Sequence, residues 1–360
     1  MKYKFGDIIY NITEKRKPTE EDRLNYIGLE HMDSGSLFVT RWGAERTPEG
    51  EKIVMKKGDV LFGKRRAYQK KVAISPIDGV FSAHGMVLRP KEDVICKEFL
   101  PFFISSDYFL NEAIRISVGG LSPTINWKDI KELEFNLPSI DEQKVLAEKL
   151  WAAYEVKQSY LKMIDATDEM VKAQFVEMFD GINYVSINKL VDTVWGSSPE
   201  SKTYNDNKVG LPFYQGKTEF GDMYINEATV YCSEPIKTAE PNDILMSVRA
   251  PVGTVNITKE KCCIGRGLAA ITPKKNKSEL LFIFYALKYK EDEIANLGTG
   301  STFKAINKDS YAKIMLPDAC KESQLCFVSL AEQADKSMAE LRKSIDAIDK
   351  VIKSLINENL

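Results

Sequence analysis

The run GKRRAYQKK gathers Lys64, Arg65, Arg66, Lys70 and Lys71 around Tyr68, directly after the apolar triplet VLF. A guanidinium can donate two parallel hydrogen bonds to O6 and N7 of guanine, a pairing worth about 1–3 kcal/mol of base discrimination. Ammonium groups hold phosphates with less geometric demand. A dense basic loop with an interleaved aromatic therefore suits nucleic acid, against the plainer alternative of a solvated surface loop. Further along, Arg249 stands in SVRAPVG, a turn shaped by Pro251 and Gly253. Arg266, in IGRGL, lies between glycines that would let the backbone come close to a partner. His84, in SAHGM, takes the corresponding place earlier in the chain, although a lone histidine is more often a satisfied structural group. The glycine-rich turns GGLSPT and GTGSTFK offer backbone N–H groups and the hydroxyls of Ser122, Thr124, Ser301 and Thr302 to phosphate oxygens. Lys304 adds a charge beside the second turn; the alternative is a pair of tight connections with side-chain caps.

Other chemistries find little material. Gly216-Lys217-Thr218 has five residues between Gly210 and Gly216 where a phosphate loop has four, and the intervening LPFYQ is bulky. The two histidines leave little from which to build a Ser–His–Asp arrangement. No NPPY-type motif of an amino-methyltransferase is present. The six cysteines form no CxxC, which argues against a zinc site and fits reduced thiols in a cytoplasmic protein. No apolar run approaches the ~20 residues of a membrane span, so no membrane partner is expected. The net charge of −2 means that any basic surface must be local.

The elements that position these residues occur twice. KGDVLFGKRRA is echoed by PNDILMSVRAPV, MVLRP by GLAAITP, and GGLSPTINWKDIKELEFNLP by GTGSTFKAINKDSYAKIMLP, at an offset of about 180 residues. Solenoid repeats are far shorter, so this is a duplicated domain. Each copy mixes short β-rich runs (Tyr26 to Leu29, Ile53 to Met55, Val60 to Phe62, Gly85 to Leu88 in the first) with a helical patch, EFLPFFISSDYFLNEAIRI or SELLFIFYALKYKEDEIANL. The predicted class is mixed α and β. The predicted boundaries are 1–138 and 181–317 for the globular modules, with helices over 139–180 and 318–360.

After Pro138 the chain runs about forty residues without Gly or Pro, and Asp141 is the expected cap. Leu150, Tyr154, Leu161, Ile164, Val171 and Phe175 follow 3–4 spacing, interrupted by Lys157 and Asp168. After Pro317, Met338, Leu341, Ile345, Ile348, Ile352 and Leu355 continue a cleaner pattern that begins at Phe327. Two such seams predict a coiled coil, against the alternative that each helix packs only on its own module.

On these residues the chain resembles the specificity subunit (HsdS-type) of type I restriction-modification systems. LFGKRRAYQKKVAISPIDGVFSAHGMVLRP resembles one recurring recognition-domain pattern of that family, and DILMSVRAPVGTVNIT, IGRGLAAITP and GTGSTFKAI resemble another. LPSIDEQKVLAEKL resembles the LPxxxEQ lead-in to the family's central helix; the distal counterpart LPDACKESQ departs from it, with Glu322 and Gln324 not adjacent. The resemblance implies two target-recognition domains separated by two long antiparallel helices in a pseudo-two-fold repeat. It implies a non-catalytic reader of double-stranded DNA, with helices that set the spacing of a bipartite site. It further implies docking of two methylation subunits and, through the complex, of restriction subunits. S-adenosylmethionine, ATP and Mg would belong to those partners and not to this chain. Rival readings are a coiled-coil scaffold carrying two protein-binding modules and the recognition portion of a split methyltransferase-nuclease.

Overall fold

A computed structural model describes residues 1–298 and 304–360. Contacts divide the chain into two compact units, residues 1–161 with 342–360, and residues 162–341. The division cuts both long helices, so each unit owns a piece of the central helix (Ile140–Phe179) and a piece of the distal helix (Lys321–Asn357).

In the first unit, an antiparallel sheet orders Ile9–Ile12, Met86–Pro90, Val60–Phe62 and Val72–Ile74. Val60, Leu61 and Phe62 are all buried, as an interior strand covered on both faces requires. A second sheet orders Lys15–Arg16, Lys52–Met55, Gly79–Phe81 and Tyr26–Ile27, the last pair running parallel. The helical patch breaks into Leu100–Ser105 and Asp107–Arg115 at Ser106, whose hydroxyl accepts from the Phe109 N–H and caps the second helix. Phe5, Phe103, Phe109 and Phe135 pack edge-to-face and tilted beneath the first sheet. Lys2–Lys4 pairs with Glu134–Asn136 and returns the chain to the start of the central helix.

The second unit repeats this plan. Val191–Trp195, Leu268–Pro273, Ile244–Ser247 and Val255–Ile257 form the equivalent antiparallel sheet, and Tyr184–Ser186 pairs with Met315–Pro317. Its other sheet again contains one parallel pair, Leu211–Tyr214 with Cys262–Ile264. The apolar LLFIFYAL run is the buried helix Leu280–Lys288.

The central helix starts two residues earlier than Asp141 would place it. Ser139 is the cap: its hydroxyl accepts from the Glu142 N–H, while the Glu142 carboxylate accepts from the Ser139 N–H at 2.8 Å and from its hydroxyl at 2.7 Å. This reciprocal box satisfies the donors that open a helix. One residue on, Gln143 is fully buried. Its Oε1 accepts from the Cys96 N–H at 2.8 Å, and its Nε2 donates to the carbonyls of Val94 and Pro138 at 3.0 Å each. Gln324 does the same in the second unit, accepting from the Glu279 N–H at 2.8 Å and donating to Lys277 and Ala319 at 2.9 Å. The lead-in LPDACKESQ thus carries the same clamp as LPSIDEQ, with two extra residues ahead of it.

Each long helix contributes residues to the module cores, and Lys157 and Asp349 join one helix to the other. Leu150 and Tyr154 belong to the first unit's core together with Ile356, against which Ile352 and Leu355 also lie. Val171 and Phe175 join Phe327 and Ala331 in the second unit's core. Met338 and Ile345 are buried, and Ile164, Leu341 and Ile348 are half-buried. Leu161, expected on the seam, is instead 38 % exposed. Lys157, four residues before it, takes the inward place: its stem is covered and its Nζ meets Asp349 at 2.6 Å. The other polar interruption, Asp168, pairs with Lys288 at 2.6 Å within the second unit.

Candidate nucleic-acid interface

Three segments of the first unit meet at the basic loop. The loop leaves Val60–Phe62 and is closed at its base by the Gly63 N–H donating to the Lys71 carbonyl at 2.9 Å. The Arg66 N–H donates to the Pro123 carbonyl at 2.7 Å and the Ile125 N–H to the Lys64 carbonyl at 2.9 Å, tying in the glycine-rich turn. The Arg65 N–H donates to the His84 carbonyl at 3.1 Å and ties in the third segment. Arg66 and Lys70 both hold left-handed backbone, at φ of 54° and 51°. That conformation costs about 1–2 kcal/mol at a non-glycine residue, so the surrounding bonds must hold the loop in shape.

The side chains divide by partner. Arg66 is exposed, and its Nε reaches the Ser122 hydroxyl at 3.3 Å. Arg65 Nη1 lies 3.3 Å from His84 Nε2. Tyr68 is 54 % exposed on the following turn. Lys70 and Lys71 commit their ammonium groups inside the fold. Lys70 meets Asp107 at 2.7 Å, with Lys353 on the other carboxylate oxygen at 2.5 Å, and Lys71 donates to the Leu29 carbonyl at 2.7 Å. Thr124 turns its hydroxyl back to the Ser122 carbonyl at 3.2 Å.

The electrostatics single out Lys64 and His84. Burial and the neighbouring Lys15 push Lys64 below the ordinary lysine range. Burial, followed by Arg65, Lys64 and Lys52, pushes His84 down from the ordinary histidine value. Glu30 offsets only part of this, so the cations crowd one another at His84 and form a site that an anion relieves. Lys15 and Lys52 were not among the sequence-predicted residues; they come from strands of the second sheet and reach the cluster only through tertiary structure.

In the second unit the same backbone pattern recurs. The Val248 N–H donates to Gly267, the Ile306 N–H to Val248 and the Ala250 N–H to Lys304, at 2.9, 2.9 and 3.0 Å. These bonds equate Val248 with Lys64, Arg249 with Arg65 and Ala250 with Arg66. The strand registers, continued by one or two residues, place His84 opposite Lys64 and Gly267 opposite Val248, so Arg266 corresponds to Ala83 and is not the counterpart of His84. The glycines beside Arg266 serve the chain itself, not a partner: a Cβ on Gly267 would lie 2.2 Å from the Gln215 carbonyl oxygen. That close approach brings Gln215 and Lys217 beside Arg249 and Arg266 around a hollow of about 310 Å³. All four side chains are exposed, and no carboxylate lines the hollow among the described residues. Ser198 braces it, its hydroxyl lying 3.3 Å from both Gln215 Nε2 and the Arg266 N–H. Gln215 and Lys217 went unremarked as contacts because they sit in the segment that imitates a broken phosphate loop. Lys304 is exposed; Ser301 and Thr302 lie outside the described residues.

No group of three or more His, Cys, Asp or Glu is placed to hold a metal among the described residues. No helix there is long and apolar enough to cross a membrane.

The family model for the type I restriction modification DNA specificity domain matches residues 1–159 and again 180–356. A putative type I restriction enzyme MjaX specificity subunit from Methanocaldococcus jannaschii is 30 % identical, over 94 % of this chain and 87 % of that protein. A solved chain from work on complex assembly and conformational transition of the type I R-M system is 27 % identical with a TM-score of 0.58, covering all of this chain and 97 % of that one. The type I S subunit of M. genitalium shares the fold at 16 % identity and a TM-score of 0.53, over 99 % of this chain and 95 % of that one.

Proposed function

The chain belongs to the type I restriction-modification specificity-subunit family, and from that premise we propose that each unit reads one half of a bipartite DNA site. The observation that carries this reading is the recurrence of one backbone junction in both units, Arg65 bridged to Thr124 and Arg249 bridged to Ala305, each at the end of a buried strand. In the first unit Arg65, Arg66 and Lys64 face the DNA; in the second, Arg249, Arg266, Lys217 and Gln215 do. Phosphate contacts set the register while guanidinium and amide groups read base edges, arginine toward guanine and glutamine toward adenine. The long helices act as the ruler between the half-sites and dock two methylation subunits, through which restriction subunits join. The chain contributes recognition alone; S-adenosylmethionine, ATP and Mg act in the partners.

The test is a methylome. The chain is co-expressed with its cognate methylation subunit in a methylation-free host, and modified bases are mapped by single-molecule sequencing. A split motif with a fixed gap is expected. A stable copurifying complex that leaves no modified bases would overturn the reading in favour of a scaffold.

A further inference from the structure

Leu121 is 98 % exposed, more than any other exposed large apolar side chain among the described residues, Met1 following at 79 %. It sits at the tip of the turn Gly119–Pro123, which is closed by paired backbone bonds between Val118 and Thr124 at 3.0 and 2.9 Å. Turns of this kind favour Gly, Pro, Ser and Asn, and a leucine at the tip gains nothing from the fold. The tip is braced on both sides. Gly119 takes the left-handed backbone at φ of +115° that the bend needs. Pro123 restricts the other arm, and its carbonyl is held by the Arg66 N–H at 2.7 Å. Ser122, next to the leucine, contacts the Arg66 side chain. The apolar tip therefore projects from the same bonded junction as Lys64, Arg65 and Arg66, the cations that would bring a DNA backbone to it.

We propose that Leu121 is a wedge that enters a base step of the first half-site next to the bases that Arg65 and Arg66 read. This rests on the DNA reading above. An apolar side chain inserted between bases partly unstacks the step and kinks the duplex. A pre-braced tip loses little conformational freedom on insertion, which is what a wedge requires. A stacked base step is the partner this tip fits, because the cations and the apolar tip share one junction.

The experiment uses the assembled complex of the full chain with its methylation subunits. Duplexes carry 2-aminopurine at successive positions across the mapped first half-site. Wild type should raise fluorescence at one step in a way that is lost in Leu121→Ala and restored in Leu121→Met. Leu121→Ala should bind about 10- to 100-fold more weakly, the ratio for losing burial of one leucine side chain. Its salt dependence should keep the wild-type slope, since no phosphate contact is removed. A duplex retained by wild type with no Leu121-dependent signal overturns the wedge alone. Loss of the methylation subunits from Leu121→Ala, with DNA affinity of the remaining complex unchanged, also overturns it and assigns the leucine to a protein contact. Wild-type complex that retains no duplex overturns the DNA reading and the wedge together.

Discussion

Replacing Gln143 by leucine should unfasten the first module from its helix. The substitution keeps an apolar volume close to that of glutamine but removes one acceptor and two donors at a fully buried position. The Cys96 N–H and the carbonyls of Val94 and Pro138 lose their partner together. Each unsatisfied buried group costs about 1–3 kcal/mol, and local relaxation recovers part of the total, so a loss of about 3–5 kcal/mol is expected. With a urea dependence of about 2 kcal/mol/M for a unit of this size, the midpoint should fall by roughly 1.5–2.5 M. Hydrogen exchange read by mass spectrometry localises the effect: protection should drop around residues 94–99 and persist around 277–281. Gln324→Leu should reverse that pattern. Gln143→Glu is the sharper control, because it retains the shape and the acceptor but turns an oxygen toward carbonyls that need a donor. It should be as damaging as leucine at neutral pH and partly recover as the carboxyl protonates. A midpoint shift under about 0.5 M, or equal loss of protection in both regions, would refute the clamp.

Arg66→Ala should relax or abolish reading of the first half-site alone, and Arg249→Ala that of the second, each by about 1–3 kcal/mol in the methylation pattern; uniform weakening with a shallower salt dependence would mark a phosphate contact instead. His84 starts below its ordinary value, and a nearby phosphate raises it, so binding takes up a proton. Affinity for cognate DNA should therefore strengthen as pH falls from about 8 to about 6, and His84→Gln should flatten that dependence in fluorescence titrations; an unchanged slope removes the histidine from the interface. Four residues inserted after Leu161 together with four before Arg342 add about 6 Å of helix, which should widen the gap in the mapped motif by roughly two base pairs. An unchanged gap would sink the ruler.

The duplication, the mixed class and both long helices are legible in the sequence because apolar periodicity and Gly/Pro punctuation report local structure. Val60 to Phe62 and Leu280 to Leu287 fall where their patterns put them. What resists reading depends on contacts made across the fold. Asp141 has the right chemistry for a cap, but Ser139 owns the box because its neighbour Pro138 ends the strand-side chain and leaves the hydroxyl beside Glu142. Gln324 hides because two additional residues displace it from its motif while its buried partners stay the same. A basic run does not declare which ammonium will find a carboxylate, and only the placement of Asp107 separates Lys70 from Lys64. Gln215 and Lys217 become neighbours of Arg266 through a parallel strand pair, and such a pairing leaves no mark at either segment's own spacing.

The first unit includes residues 342–360, whose Ile352, Leu355 and Ile356 lie against a core otherwise built before residue 162. About 180 residues separate those two stretches. At ribosomal speeds of about 5–20 residues per second, the first module waits roughly ten to forty seconds for the strip that completes it. During that interval Leu150 and Tyr154 lack their partners from the distal helix, and Lys353 has yet to reach Asp107. The module made first is thus finished after the module made second, and a ribosome halted near residue 341 harms the half of the protein it has already left behind.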